Sequence, residues 1–228
     1  MGIFENPEFG NKLVTLMAAI VLVLQIAMTA QRWTVTNIRI FGVQSFFLAA
    51  ITATIAFFAD SPHLYVAAFL TLLVKAILAP VWLERLVDRL GMRQDIEPIL
   101  NAPLSVVISG GLTLVGYIVA ASFYHPELGS PASSLGHNTL AVAISLFLIG
   151  FYTMINRRKA LIQVLALLSL ENGLFLATIS LTYGMPLIVE LGIFFDVLVA
   201  VLVLGILVYR IRESFDSMDT SRMRRLRG

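Results

Sequence analysis

The sequence predicts an all-α protein, a polytopic transmembrane helical bundle of about seven spans, and three observations carry that expectation. Of its 228 residues 58% are hydrophobic, and the mean hydropathy is +0.89. Only 13% are charged, against roughly 25% in an ordinary soluble domain. The apolar residues gather into runs close to the roughly 20 residues that cross a bilayer, and Lys and Arg recur in every second connector between them. No length is left for a sizeable soluble domain, so any chemistry belongs inside the bilayer or at its edge.

The first run, Lys12–Gln31, follows MGIFENPEFGNK, which carries two acids and one late lysine where a secretory signal carries a basic n-region; it is read as a retained span. Ile38–Ala59 and His63–Leu83 come next. Pro80 lies inside the third run and must disrupt the backbone bond to the carbonyl of Ala76, so that helix is expected to kink or open one turn from Lys75. Beyond it Leu83, Leu86, Val87 and Leu90 repeat at helical spacing against Glu84, Arg85, Asp88 and Arg89, which reads as a helical extension along the cytoplasmic interface. The fourth run, Ala102–Tyr124, holds Ser105, Ser109, Gly110, Gly111, Thr113 and Gly116 but no charge. Small residues permit close backbone approach, which assigns this run to helix packing. Asn138–Ile155, Ala160–Tyr183 and Pro186–Tyr209 complete the set, and Pro62, Pro98, Pro103, Pro126, Pro131 and Pro186 fall near the ends of runs.

Charge sets the orientation. Arg32 and Arg39 lie between the first two spans, Arg85, Arg89 and Arg93 follow the third, and Arg157, Arg158 and Lys159 follow the fifth. The connectors Asp60–Pro62, His125–His137 and Gly184–Met185 contain no Lys or Arg, whereas Arg210, Arg212, Arg222, Arg224, Arg225 and Arg227 close the chain. The positive-inside rule then places the N-terminus outside and the C-terminus in the cytoplasm, with the basic tail against anionic headgroups or a partner's acidic surface. The bilayer is the expected environment and no nucleic acid is expected as a partner. FLAAITA at Phe47–Ala53 and FLATISL at Phe175–Leu181 suggest a parallel repeat of three-span units around the fourth span. The expected division of this one membrane domain is residues 1–100 as an N-terminal three-span unit with its cytoplasmic connector, 101–135 as a linking span and external loop, and 136–228 as a C-terminal three-span unit with the tail.

Cysteine is absent, which removes disulfides and thiolate-held iron–sulfur or nickel–iron centres; electrons for any redox chemistry must come from another subunit. His63, His125 and His137 lie in predicted loops without the short spacings of a metal site and read as interfacial residues. No catalytic residue, cofactor or metal is expected in this chain.

Four ionisable residues sit within predicted spans: Lys75, Glu171, Glu190 and Asp196. A charge at the bilayer centre costs at least about 2.5 to 3.5 kcal/mol, so each needs a partner, water or a neutralising proton. Glu171 is twelve residues from Lys159, Asp196 fourteen from Arg210 and Lys75 ten from Arg85, which at about 1.5 Å per residue puts them roughly 18, 21 and 15 Å from the cytoplasmic edge. Glu190 lies further out along the seventh span. Burial disfavours the charged form of an acid or amine and a nearby opposite charge restores it, so such a layer can exchange protons. The plainer alternative is that Lys75 pairs permanently with one carboxylate and locks helices together.

Leu170-Glu171-Asn172-Gly173, Val189-Glu190-Leu191-Gly192-Ile193-Phe194-Phe195-Asp196 and Lys75-Ala76-Ile77-Leu78-Ala79-Pro80 resemble the hydrogenase-4 component E family, membrane subunits of complex I-like energy-converting hydrogenases. The last three spans also resemble the K subunit of respiratory complex I, which carries a membrane glutamate in each of two successive helices; Glu171 falls at the first position and Asp196, one methylene shorter, at the second. The resemblance implies a non-redox subunit of a bacterial or archaeal cytoplasmic membrane, placed beside antiporter-like subunits. It further implies a part in coupling hydrogenase or dehydrogenase electron transfer to proton or sodium movement. The alternatives are a scaffold that docks antiporter-like subunits without conducting ions, and a free-standing small transporter.

Overall fold

The computed structural model describes residues 7–59, 61–90, 99–123 and 132–182, all within one compact unit, Met1–Gly192. The elements are α1 (Pro7–Ala30), α2 (Thr34–Ala59), α3 (Pro62–Leu70), a π-helical segment (Thr71–Leu78), α4 (Ala79–Leu90), α5 (Ala102–Ser122), α6 (Ala132–Asn156) and α7 (Ala160–Thr182). The described residues contain 6 helices long and apolar enough to cross a membrane, the third being the continuous rod Leu64–Asp88. This is the polytopic helical bundle the sequence predicts. The seventh run, Pro186–Tyr209, lies outside the described residues, and with it Glu190, Asp196 and the basic tail.

Helix is the solution a bilayer imposes on these segments, because each backbone N–H and C=O must be satisfied within the segment where water is absent. The starts are marked by residues that suit them: Ser61 is extended just before Pro62, and Asn101 (φ −60°, ψ 148°) precedes Pro103 in the first turn of α5.

Helix α1 is central, packing against α2, α5 and α6, while α2 packs in turn against the third rod and α7. The most extensive contact is between α6 and α7, and its closeness depends on glycine. A Cβ on Gly150 would stand 2.9 Å from Leu170 Cα, and one on Gly173 only 2.7 Å from Phe147 N. Helix α5 approaches α6 in the same way at Gly116, opposite the Ser145 backbone, so its assignment to packing holds along the buried stripe Ser105, Ser109 and Gly116. Gly110 and Gly111 face open space instead.

Of the two outcomes expected from Pro80, a kink or an opening, the third rod shows the opening: the helix widens to π geometry over Thr71–Leu78, and Ala79 N–H donates to Val74 O, five residues back. A proline ring that denies Ala76 its usual donor is accommodated by widening the preceding turns. Gly42 of α2 makes room for the result: a Cβ there would meet Pro80 Cγ at 3.0 Å and the Ala76 carbonyl oxygen at 3.3 Å. The expected extension is redirected. Leu83, Leu86 and Val87 are buried and α4 packs along α2, so this apolar face is covered by protein and does not lie along the bilayer interface. An exposed ion pair, Arg39 Nε to Glu84 Oε1 at 2.9 Å, ties the two helices at this end.

The basic connectors converge. Ile99 and Leu100 N–H donate to the carbonyl and Oδ1 of Asn156 (both 3.0 Å), and the Arg157 guanidinium reaches the carbonyl of Gln31 (3.0 Å). The connectors after the first, third and fifth spans therefore meet at one end of the bundle, as alternation of basic and non-basic connectors requires.

Candidate functional site

Lys75 projects from the π segment into the protein, and its side chain is only 5% exposed. Glu171, on α7, is 3% exposed and places Oε2 3.5 Å from Lys75 Nζ. One turn beyond Glu171, the ring of buried Phe175 lies 5.7 Å from Nζ, within reach of a cation–π attraction. The π geometry matters because it sets which way residue 75 points from a rod whose other faces carry exposed Leu73, Ile77 and Leu78. The structure thus brings together two of the four ionisable residues that the sequence singles out; Glu190 and Asp196 are outside the described residues.

A file of neutral polar side chains adjoins the pair. Ser169, two residues before Glu171, donates to Gln25 Oε1 of α1, while Gln44 Nε2 of α2 donates to the same oxygen at 2.7 Å. Asn172 Nδ2 donates to Ser45 Oγ at 3.1 Å. Gln25, Gln44, Ser45, Ser169 and Asn172 are all buried. Closer to the basic connectors, Ser109 Oγ of α5 donates to Thr29 Oγ1 (3.2 Å), and Ser105 Oγ accepts from Tyr152 and Asn156 of α6 (both 3.1 Å).

Arg157 closes this end. The residue is 1% exposed, and its Nη2 donates to the carbonyls of Thr29 (2.7 Å), in the last turn of α1, and of Gln31 (3.0 Å), just beyond it. A cation is favoured there by the helix dipole and by the orphan carbonyls of a helix end. Burial pulls this guanidinium below its ordinary pKa, with Tyr152 acting in the opposite sense. It remains a cation all the same, because arginine does not deprotonate in proteins. Arg157 Nε and Nη1, Asn37 Oδ1 and Asn172 Oδ1 are buried without a hydrogen-bond partner, a deficit of about 1 to 3 kcal/mol per group unless water supplies the bond.

Sequence reasoning placed Arg157 among the connector charges and passed over the amides. The signal was present for the latter, since Gln25 and Gln44 stand well inside their apolar runs, where a polar side chain demands an interhelical partner. Burial of Arg157 left no such trace, because Arg157 and Arg158 read alike while only Arg158 is exposed. No group of three or more His, Cys, Asp or Glu suited to a metal exists among the described residues.

No family model matches the chain, and no solved structure does. Hydrogenase-4 component E of Escherichia coli K12 is 23% identical over 219 residues, covering 96% of this chain and 99% of that protein, and the protein of that name from Shigella flexneri matches to the same extent. Uncharacterized protein Rv0085 of Mycobacterium tuberculosis is 31% identical over 191 residues, covering 83% of this chain and 84% of the other. Identity of that degree over most of both lengths, in a bundle of membrane-spanning helices, means that the chain belongs to the same family as the mycobacterial protein.

Proposed function

We propose that this chain is a non-redox membrane subunit of a complex I-like hydrogenase or related dehydrogenase assembly in the cytoplasmic membrane, and that it contributes to proton or sodium movement coupled to electron transfer. The observation that carries the reading is the buried Lys75–Glu171 pair, an acid and a base held 3.5 Å apart on different helices. End-to-end similarity to proteins named hydrogenase-4 component E supports membership of such an assembly. In this reading Glu171 and Asp196 form one coupled proton-exchanging pair, Lys75 biases their charge, and Glu190 serves the outer side. An approaching proton or cation changes the field at Glu171, and Lys75 transmits the change because in this low-dielectric setting neither charge is strongly screened. The partners are antiporter-like membrane subunits and a separate subunit that carries electrons.

The scaffold reading draws on the same pair, since a buried ion pair also fastens the π segment to α7. Affinity purification of the tagged chain from native membranes in mild detergent tests the assembly. Antiporter-like and redox subunits should elute with it in fixed stoichiometry. A stable monomer that moves ions unaided would contradict the proposal.

A further inference from the structure

We propose that a water-bearing polar file leads from the end of the bundle where the basic connectors gather to the Lys75–Glu171 pair, and that this pair exchanges protons with that side of the membrane through it. The second part rests on the proton-exchanging role proposed above; the first does not.

Interhelical bonds trace the file. From the pair it passes along α7 to Asn172 and Ser169, then to Ser45 and Gln44 of α2 and Gln25 of α1. Thr29 is one turn further along α1, on the face that Gln25 shares. Thr29 meets Ser109, and one turn back on α5 Ser105 meets Tyr152 and Asn156. Asn156 Oδ1 then accepts from Leu100 N–H in the connector. Hydroxyls elsewhere in the bundle, such as Thr52, Thr54 and Ser180, donate to carbonyls four residues back in their own helices, the ordinary retreat of Ser and Thr from lipid. In the file Ser109 and Thr29 also donate back along their own helices, to the carbonyls of Ser105 (2.8 Å) and Ile26 (2.7 Å), but they face each other across α5 and α1 as well, while Ser105, Ser45 and Ser169 face polar atoms of other helices.

Unsatisfied polar atoms stand at both ends. Asn172, next to Glu171 in the chain, keeps its Oδ1 buried without a hydrogen-bond partner. At the connectors, Arg157 Nε and Nη1 offer donors and Asn37 Oδ1 an acceptor without partners, although Arg157 Nη2 and Asn37 Nδ2 both donate to the Gln31 carbonyl. Donors and an acceptor gathered round one carbonyl are what a buried water satisfies, typically with about three bonds. Amides and hydroxyls hold such waters in line, and a proton moves by handing over from water to water while the side chains keep their chemical state.

The test uses the absence of cysteine from this chain. Ser105→Cys, Ser109→Cys and Thr29→Cys serve as single reporters in the assembled complex, with Ala143→Cys, fully buried on α6, and Val107→Cys, exposed on the outside of α5, as references. A synchrotron pulse generates hydroxyl radicals from bound water, and mass spectrometry reads oxidation of the sulfur. The file reporters should oxidise several-fold faster than Ala143→Cys, in wild-type and Glu171→Gln backgrounds alike. Rates equal to that of Ala143→Cys in all three mean a dry interface and overturn the file. For the proton route, Ser109→Val should slow coupled ion movement several-fold and Ser109→Thr should restore it. Undiminished movement in Ser109→Val removes the route and leaves a structural water file. Because labelling does not depend on Glu171, a failed function and a failed file give different results.

Discussion

Removing Lys75, Glu171 or both separates a compensated ion pair from two independent side chains. At 3.5 Å and an effective dielectric constant of about 20, opposite unit charges attract by roughly 5 kcal/mol. Each charge in the span costs about 2.5 to 3.5 kcal/mol on insertion scales, so the intact pair comes close to balance. Glu171→Gln leaves the ammonium facing a neutral amide and should destabilise the assembled subunit by about 3 kcal/mol, the lower part of the range for breaking a buried pair. Lys75→Met should cost less, because the abandoned carboxyl is able to take up a proton. The double variant removes both charges and should recover most of the loss, giving a coupling of about 3 kcal/mol. Subunit abundance in membranes and retention in the purified complex during a temperature ramp provide the assay; at about 1.4 kcal/mol per tenfold change, the single and double variants separate clearly. A double variant that loses as much as the two singles added together would refute the coupling and reduce the pair to a coincidence of position.

Gly173→Val forces a side chain to within 2.7 Å of Phe147 N and should cost about 1 to 3 kcal/mol through overpacking, lowering the thermal midpoint of the complex; an unchanged midpoint would mean that α6 and α7 separate freely. Arg157→Met deletes the cation at the carbonyl end of α1 and should lose about 2 to 3 kcal/mol, while Arg158→Met at the exposed neighbouring position should change abundance little. Equal effects at the two positions would deny Arg157 its capping role. A reporter fused after Gly228 should read cytoplasmic and one inserted ahead of α6, at residues 127–131, should read external, whereas a shared location would rule out the seven-span topology.

The bundle was legible in the sequence because membrane burial acts uniformly: about 20 apolar residues make a span whatever their order. Position within the bundle was legible where particular residues broke that uniformity, ionisable ones at Lys75 and Glu171 and small ones along Ser105, Ser109 and Gly116. The π segment was harder to read. Pro80 announces a defect, but the form of the defect depends on the space that Gly42 leaves, and that is a tertiary fact. Likewise Leu83, Leu86 and Val87 specify an apolar face without naming its cover, which is α2 and not lipid. Arg157 was read from charge alone, and charge did not say that its guanidinium turns inward to the end of α1.

The proposed function stands most directly on ion movement in vesicles containing the reconstituted complex, followed together with electron transfer to an artificial acceptor after subunit content has been verified. Glu171→Gln and Asp196→Asn should each reduce the ion gradient while the electron-transfer half-reaction continues, with Glu190→Gln the milder of the three. Gradients undiminished in both Glu171→Gln and Asp196→Asn would contradict the account and leave these acids a purely structural part.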